Sequence, residues 1–403
     1  MSAITSSPGP APAPPLARAQ QWALIAGAVG LLGWAACALL LPPRDLFFRA
    51  YLWAFMLALG VTLGSLVVVL IQHLTGGNWG WVLRHTLEAG TRTLYFLVPL
   101  LFLPLLLGLH DLYEWARPDF PPLSNAPYLS LDVLNVQTGV PIPGWVPRAV
   151  LYFLVWGGLA YALNRWSRRV DEGPVDDATG HRLRRFSAVG ILLYGVSVTF
   201  AAVDWMMSLE PHWFSTMYGP LIAIGQLLGG FAFAVAVTLL LGAREPLAGA
   251  LGRPTLGDLA SLLMAFVMMW AYLAISQFLI IWSGNLPEEI TWYLNRSQGG
   301  WQWVAAPLAL FQFALPFVLL LSRDVKRDRR RLAAVALFIL AMRALDLFWL
   351  IEPSARGGLS PYHLLYPLPL LGVGGLWLFL FLRELQRRPL LGPPEAEAAT
   401  NHG

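Results

Sequence analysis

The sequence predicts an all-α polytopic membrane protein of about ten transmembrane helices, with both termini cytoplasmic. Three observations lead there. Of 403 residues, 57% are hydrophobic and 12% charged, whereas a soluble domain carries about 25% charged residues. The apolar residues stand in blocks of roughly 20, the length that takes a helix across ~30 Å of hydrocarbon. Tryptophans and tyrosines gather at the block ends, as they do at membrane–water interfaces. Lipid accepts only helices and closed barrels, since nothing else satisfies the backbone there. Continuous blocks, not alternating strands, select helices. A soluble domain, a nucleic-acid-binding module and a disulfide scaffold are excluded together.

Residues 1–19, rich in Pro, Ala and Ser, read as disordered. The first block, Trp22–Leu41, carries the single cysteine, Cys37. Trp34 stands where a lipoprotein signal wants a small aliphatic residue, and no small-residue cleavage site follows, so this block reads as a retained helix. The next blocks are Tyr51–His73 and Arg84–Leu109. His110–Val146 is a long loop with Asp111, Glu114, Asp119 and Asp132 among prolines and aromatics, a composition that suits docking or a lid. Pro147–Trp166 and Phe186–Met206 flank a basic loop broken by Gly173 and Pro174. Tyr218–Leu241, Leu259–Trp282 and Trp301–Leu321 follow. The basic run Arg323–Arg331 separates the last of these from Leu332–Ile351, and His363–Leu382 completes the integral domain, 20–388. Residues 389–403 read as a disordered tail. Spans two to five and six to nine are expected to form two four-helix bundles, flanked by spans one and ten.

Charge sets the orientation. With the N-terminus inside, 20 of the 27 Lys and Arg residues fall inside and 6 outside, and Arg343 lies within a span. That split follows the positive-inside rule. The basic loops then serve orientation and contact with anionic headgroups.

Ionisable groups inside spans are costly and default to functional candidates. Arg343 and Asp346 share a helix face at i,i+3, either as a structural ion pair or on a proton path. Asp204, Glu210 and His212 stand at the outer end of span five, where they either pass protons or form a turn in the aromatic belt. Arg84, Glu88 and Arg92 at i,i+4 place one carboxylate between two guanidiniums, beside His85 and near His73. This is either a solvated helix start or an inner proton mouth. Tyr194, Ser197, Gln226, Tyr272, Ser276 and Gln277 either bond helices together or line a wetted path between the carboxylates. One cysteine cannot hold an iron–sulfur cluster or attach a c-type haem. The seven histidines sit at span ends, in loops or in the tail, so no haem is expected between helices and no metal site is proposed.

Three strings are more particular: VDWMMSLEPHWFSTMYG (203–219), IIWSGNLPEEITWYLNRSQGGW (280–301) and MRALDLFWLIEP (342–353). With them the chain resembles the second large membrane subunit of alternative complex III, a bacterial quinol:cytochrome c oxidoreductase related to polysulfide-reductase membrane subunits. The resemblance implies a multi-pass subunit of the bacterial inner membrane. It implies that this chain binds no cofactor itself, with quinol at or near the subunit. The partners it implies are a paralogous membrane subunit, an iron–sulfur subunit and c-type cytochromes carrying the haem. It raises Asp204, Glu210, His212, Arg343 and Asp346, and adds Asn285, Glu288 and Glu289 as outer docking residues. The alternative on the residues alone is a stand-alone secondary transporter or ion channel.

Overall fold

The computed structural model of the chain describes residues 14–120, 126, 128–132, 134–135, 142–172, 177–243, 245–355 and 357–392. The long helices are α1 (Pro14–Leu40), α2 (Arg44–Thr75), α3 (Asn78–Thr91), α4 (Leu97–Leu107), α5 (Trp145–Glu172), α6 (Asp177–Trp205), α7 (Tyr218–Leu241) and α8 (Arg253–Gly284). The short α9 (Pro287–Arg296), α10 (Gln302–Leu321), α11 (Arg329–Ile351) and α12 (Pro367–Gln386) follow. Among the described residues, nine helices are long and apolar enough to cross a membrane. The α3–α4 pair, bent by 46°, makes a tenth if it is one span. Each expected apolar block falls on one of these helices or on that pair. α1 begins at Pro14, inside the stretch expected to be disordered. Residues 1–13 and 393–403, and the expected Gly173–Pro174 break, lie outside the described residues.

Two spans depart from regular α-helix, and proline explains both. Pro99 has no N–H to give the Tyr95 carbonyl and its ring crowds that carbonyl, so the helix breaks over Arg92–Phe96. Pro316 likewise cannot bond to the carbonyl of Gln312. Within α10, Leu308–Ala314 widens to a π-helical turn, closed by Leu315 N–H donating to the Leu310 carbonyl.

α2 and α7 form the centre: 89% and 72% of their apolar windows are buried, against 28% for α1 and 22% for α10. They meet at glycine. A Cβ on Gly64 would stand 1.9 Å from the Gln226 carbonyl oxygen, and one on Gly230 only 2.5 Å from Gly64. Small residues let helix backbones approach where lipid gives no hydrophobic drive. Around this axis α2, α3–α4, α5 and α6 touch in a ring, and α7, α8, α10 and α11 touch in another. α1 packs chiefly on α12, where a Cβ on Gly30 would lie 2.4 Å from Gly372 N. The Gln20 and Gln386 side chains hydrogen bond at 3.3 Å. The first span therefore starts where the last one finishes, which defines a terminal end of the molecule. The loop after α4 holds a two-stranded antiparallel ribbon, Leu134–Asn135 with Ile142–Pro143, the small exception to an all-α chain.

Candidate functional site: buried ionisable clusters

At the terminal end, α3 carries Arg84, His85 and Glu88, and Arg92 follows directly after it, all at most 5% exposed. The reading as a solvated helix start is therefore corrected: burial, not water, surrounds these charges. Glu88 Oε2 accepts from Arg92 at 3.3 Å and from Arg388 at 2.9 Å, and its Oε1 lies 3.8 Å from Arg84 Nε. Arg84 also pairs with Asp171, which lies 3.4 Å from His85 Nε2 and 3.4 Å from Arg388. Arg92 Nε donates to Asn164 at 2.8 Å. His85 Nδ1 stands 2.6 Å from the Pro389 carbonyl, so Arg388 and Pro389 lie over the cluster. Burial alone pushes the Asp171 carboxyl up; the His85 hydrogen bond and the charges of Arg84, His85 and Arg388 outweigh it and hold Asp171 below the usual carboxylate range. His73 joins a neighbouring contact, 3.3 Å from Ser187 Oγ.

Within the membrane, Arg343 and Asp346 pair as their spacing predicts, each 3% exposed. Trp270 Nε1 donates to the same Asp346 oxygen at 3.1 Å. At 1.5 Å per residue, Arg343 sits ~12 Å from the far end of α11 and ~21 Å from its start. Its guanidinium occupies the space beside Gly225, where a Cβ would lie 2.2 Å away. The Gly225 and Gly229 spacing thus admits an arginine, while Gly230 makes the close helix approach.

The opposite end separates Asp204, Glu210 and His212, which the sequence reading grouped. Asp204, 2% exposed, accepts two bonds from Arg148, at 2.9 and 2.7 Å, and one from Tyr152 at 2.7 Å. Glu210 accepts from Arg296 at 2.8 Å and from Asn295 at 3.3 Å. The Arg296 guanidinium lies 3.6 Å above the Trp292 ring. Burial lowers the Arg296 pKa, and Glu210 works against that shift. His212 is exposed beside Phe120. A further cluster here joins buried Glu352 to His363 at 3.6 Å, while Arg49 bonds to Ser354.

The uncharged polar residues divide. Tyr194 donates to Gln226 at 3.0 Å, and Ser197 accepts from Trp156 at 2.8 Å, so both hold helices together. Gln277 is buried with Oε1 unpaired. Tyr272 is corrected: it is 65% exposed on the outer face of α8 and lines no interior path. At about 100° per residue it stands about 140° around the helix from Gln277. Ser276 is half-buried. Asn285 caps α8 in the left-handed region at φ 47°, exposed with Glu288, whereas Glu289 is half-buried.

Sequence reasoning missed Arg148, Asp171, Arg388, Arg49, Glu352 and Arg296. The four arginines were counted only toward topology, and Asp171 and Glu352 were not singled out. The available signal was an arginine or acid near a span end with a candidate partner on another helix. Among the described residues, no group of three or more His, Cys, Asp and Glu comes together as metal donors. Compared with protein-family models and with curated proteins, the chain finds no match.

Proposed function

We propose that the chain is an integral subunit of a respiratory quinol:cytochrome c (or oxidase) oxidoreductase of the alternative complex III type. It docks redox subunits on one face and conducts protons through its buried ionisable groups. The observation that carries the reading is the Arg343–Asp346 pair within a span, with further buried ion-pair clusters toward each end of the molecule. A charge at a helix centre costs about 2.5–3.5 kcal/mol on insertion scales, so groups retained there default to an ion or proton role. On this reading the terminal end, which gathers most of the Lys and Arg residues, faces the cytoplasm, as the positive-inside rule favours. Asn285 and Glu288 then face the periplasm, beside the iron–sulfur and c-haem subunits. Haem, clusters and electron transfer belong to those partners.

Purification of the tagged chain from its native membrane in mild detergent tests the reading. Co-elution of c-type haem and iron–sulfur subunits is expected; a chain that elutes alone and haem-free contradicts it. The broken span over Arg92–Phe96 favours a second reading, a stand-alone transporter or channel, since broken helices line transporter sites. Solute or ion uptake by the lone chain in proteoliposomes would favour that alternative.

A further inference from the structure

A groove of about 550 Å³ lies between α5 on one side and α4, with the break that precedes it, on the other. Glycine opens it: a Cβ on Gly157 or Gly158 of α5 would meet nothing within 4 Å. Pro99, which ends the regular helix over Arg92–Phe96, lines the facing wall. Leu103, Val150 and Leu154 along it are each at least 50% exposed, so the groove opens sideways to the surroundings of the spans. From Val146 to Tyr161 it runs ~22 Å along α5, more than one ~15 Å leaflet of hydrocarbon.

The groove changes character toward the terminal end. Among the described residues its lining holds no buried polar atom without a partner, which suits hydrocarbon along its length. Tyr95 and Tyr161 close the terminal side, their rings 6.4 Å apart and edge-on. Both are exposed, each with an apolar body and a polar tip. Beyond them α5 turns basic. Arg165 stands about 40° and Arg168 about 20° around the helix from Tyr161, on opposite sides of it, and Leu154 about 20°. Groove wall, tyrosine and arginines therefore form one stripe. Arg165 and Arg168 are exposed and make no ion pair among the described residues. Their neighbour Asp171 is committed to Arg84 and Arg388 instead. Arg168 also lies close enough to act electrostatically on Tyr95, on the opposite wall.

This polarity selects the occupant. A hydrocarbon chain alone fills the groove and leaves the arginines unused, and a water-soluble anion does the reverse. A long acyl tail joined to a phosphate uses both, and arginine is suited to phosphate through its paired N–H donors. We propose that the groove is a specific site for an anionic glycerophospholipid. One acyl chain lies between α4 and α5, and the phosphate rests on Arg165 and Arg168 beyond the two tyrosines. The site depends on the fold alone, not on the function proposed above.

Native mass spectrometry of the delipidated full chain, titrated with dioleoyl phosphatidylglycerol or with dioleoyl phosphatidylcholine, tests this. One phosphatidylglycerol per chain is expected to bind saturably. It should bind at least ~10-fold more tightly than phosphatidylcholine, given about fivefold for each basic residue facing an anionic head. Arg165→Gln with Arg168→Gln brings the two lipids within about twofold of each other. Both side chains are exposed, so these changes spare the fold. Arg182→Gln with Arg185→Gln, exposed arginines near the start of α6, leaves the preference as it was. Gly158→Trp fills the groove and abolishes the tight binding. Equal binding of the two lipids by the unaltered chain, or a preference that survives the loss of Arg165 and Arg168, overturns the proposal. So does an equal loss of preference in the Arg182 and Arg185 variant, which would mark a general basic surface. Tight binding that persists in Gly158→Trp at an unchanged melting temperature overturns it as well, since the tail would then lie elsewhere.

Discussion

Asp204 and Arg148 make the tightest of the far-end pairs, two-pronged and nearly closed to solvent. Removing one member of a buried pair leaves a charge without compensation, typically at about 3–5 kcal/mol. Asp204→Asn therefore lowers stability by about that amount, read as the fall in detergent melting temperature. The double change Asp204→Asn with Arg148→Gln recovers part of it; additive losses would contradict a direct pairing. Asp171 gives a pH dependence of known sign. Its folded pKa is depressed, so its contribution is present above the unfolded value of ~3.9 and disappears as pH falls through the folded one. Hydrogen exchange of residues 387–392 should stay slow from pH 7 down to about 4 and rise below it. Rapid exchange already at pH 5 would show that Asp171 does not hold the segment. Arg343 and Asp346 were legible in the sequence because their pairing is local, three residues apart. Arg148 with Asp204, 56 residues apart, and Arg388 with Glu88, 300 apart, were not. No helical spacing links such partners; only the packing of α5 on α6, and of the C-terminal segment on α3, brings them together.

Among the elements, the spans were legible because hydrocarbon imposes a length and a composition that few other structures share. Their irregularities were not. Pro99 and Pro316 stand in plain view, yet whether a proline in a span gives a bend or a widened turn depends on neighbours that take up the freed carbonyls. Packing between elements shows the same limit. Gly30 and Gly372 mark the α1–α12 contact only once the two helices are seen together. Gly30→Leu drives a side chain into the Gly372 backbone, whereas Gly374 has open space around it. Overpacking costs ~1–3 kcal/mol, so Gly30→Leu should lower the melting temperature by more than ~2 °C, and Gly374→Ala should leave it within error. Equal effects of the two would mean that α1 and α12 do not meet at these glycines.

At the scale of the whole molecule, two rings of helices share a central α2–α7 contact, and ionisable groups lie buried toward both ends and in between. The burial of Glu88, Asp204 and Glu352 distinguishes this chain from a simple lipid-facing bundle, in which such groups reach for water. A proton route through it requires the middle carboxylate to change protonation during turnover. The most direct test replaces Asp346 by Asn together with Arg343 by Gln, which avoids leaving a lone buried charge, and measures protons released per quinol oxidised by the complex proposed above. A lowered proton yield with partner subunits still bound is the predicted result. A complex that assembles, turns over and releases protons as before would contradict it.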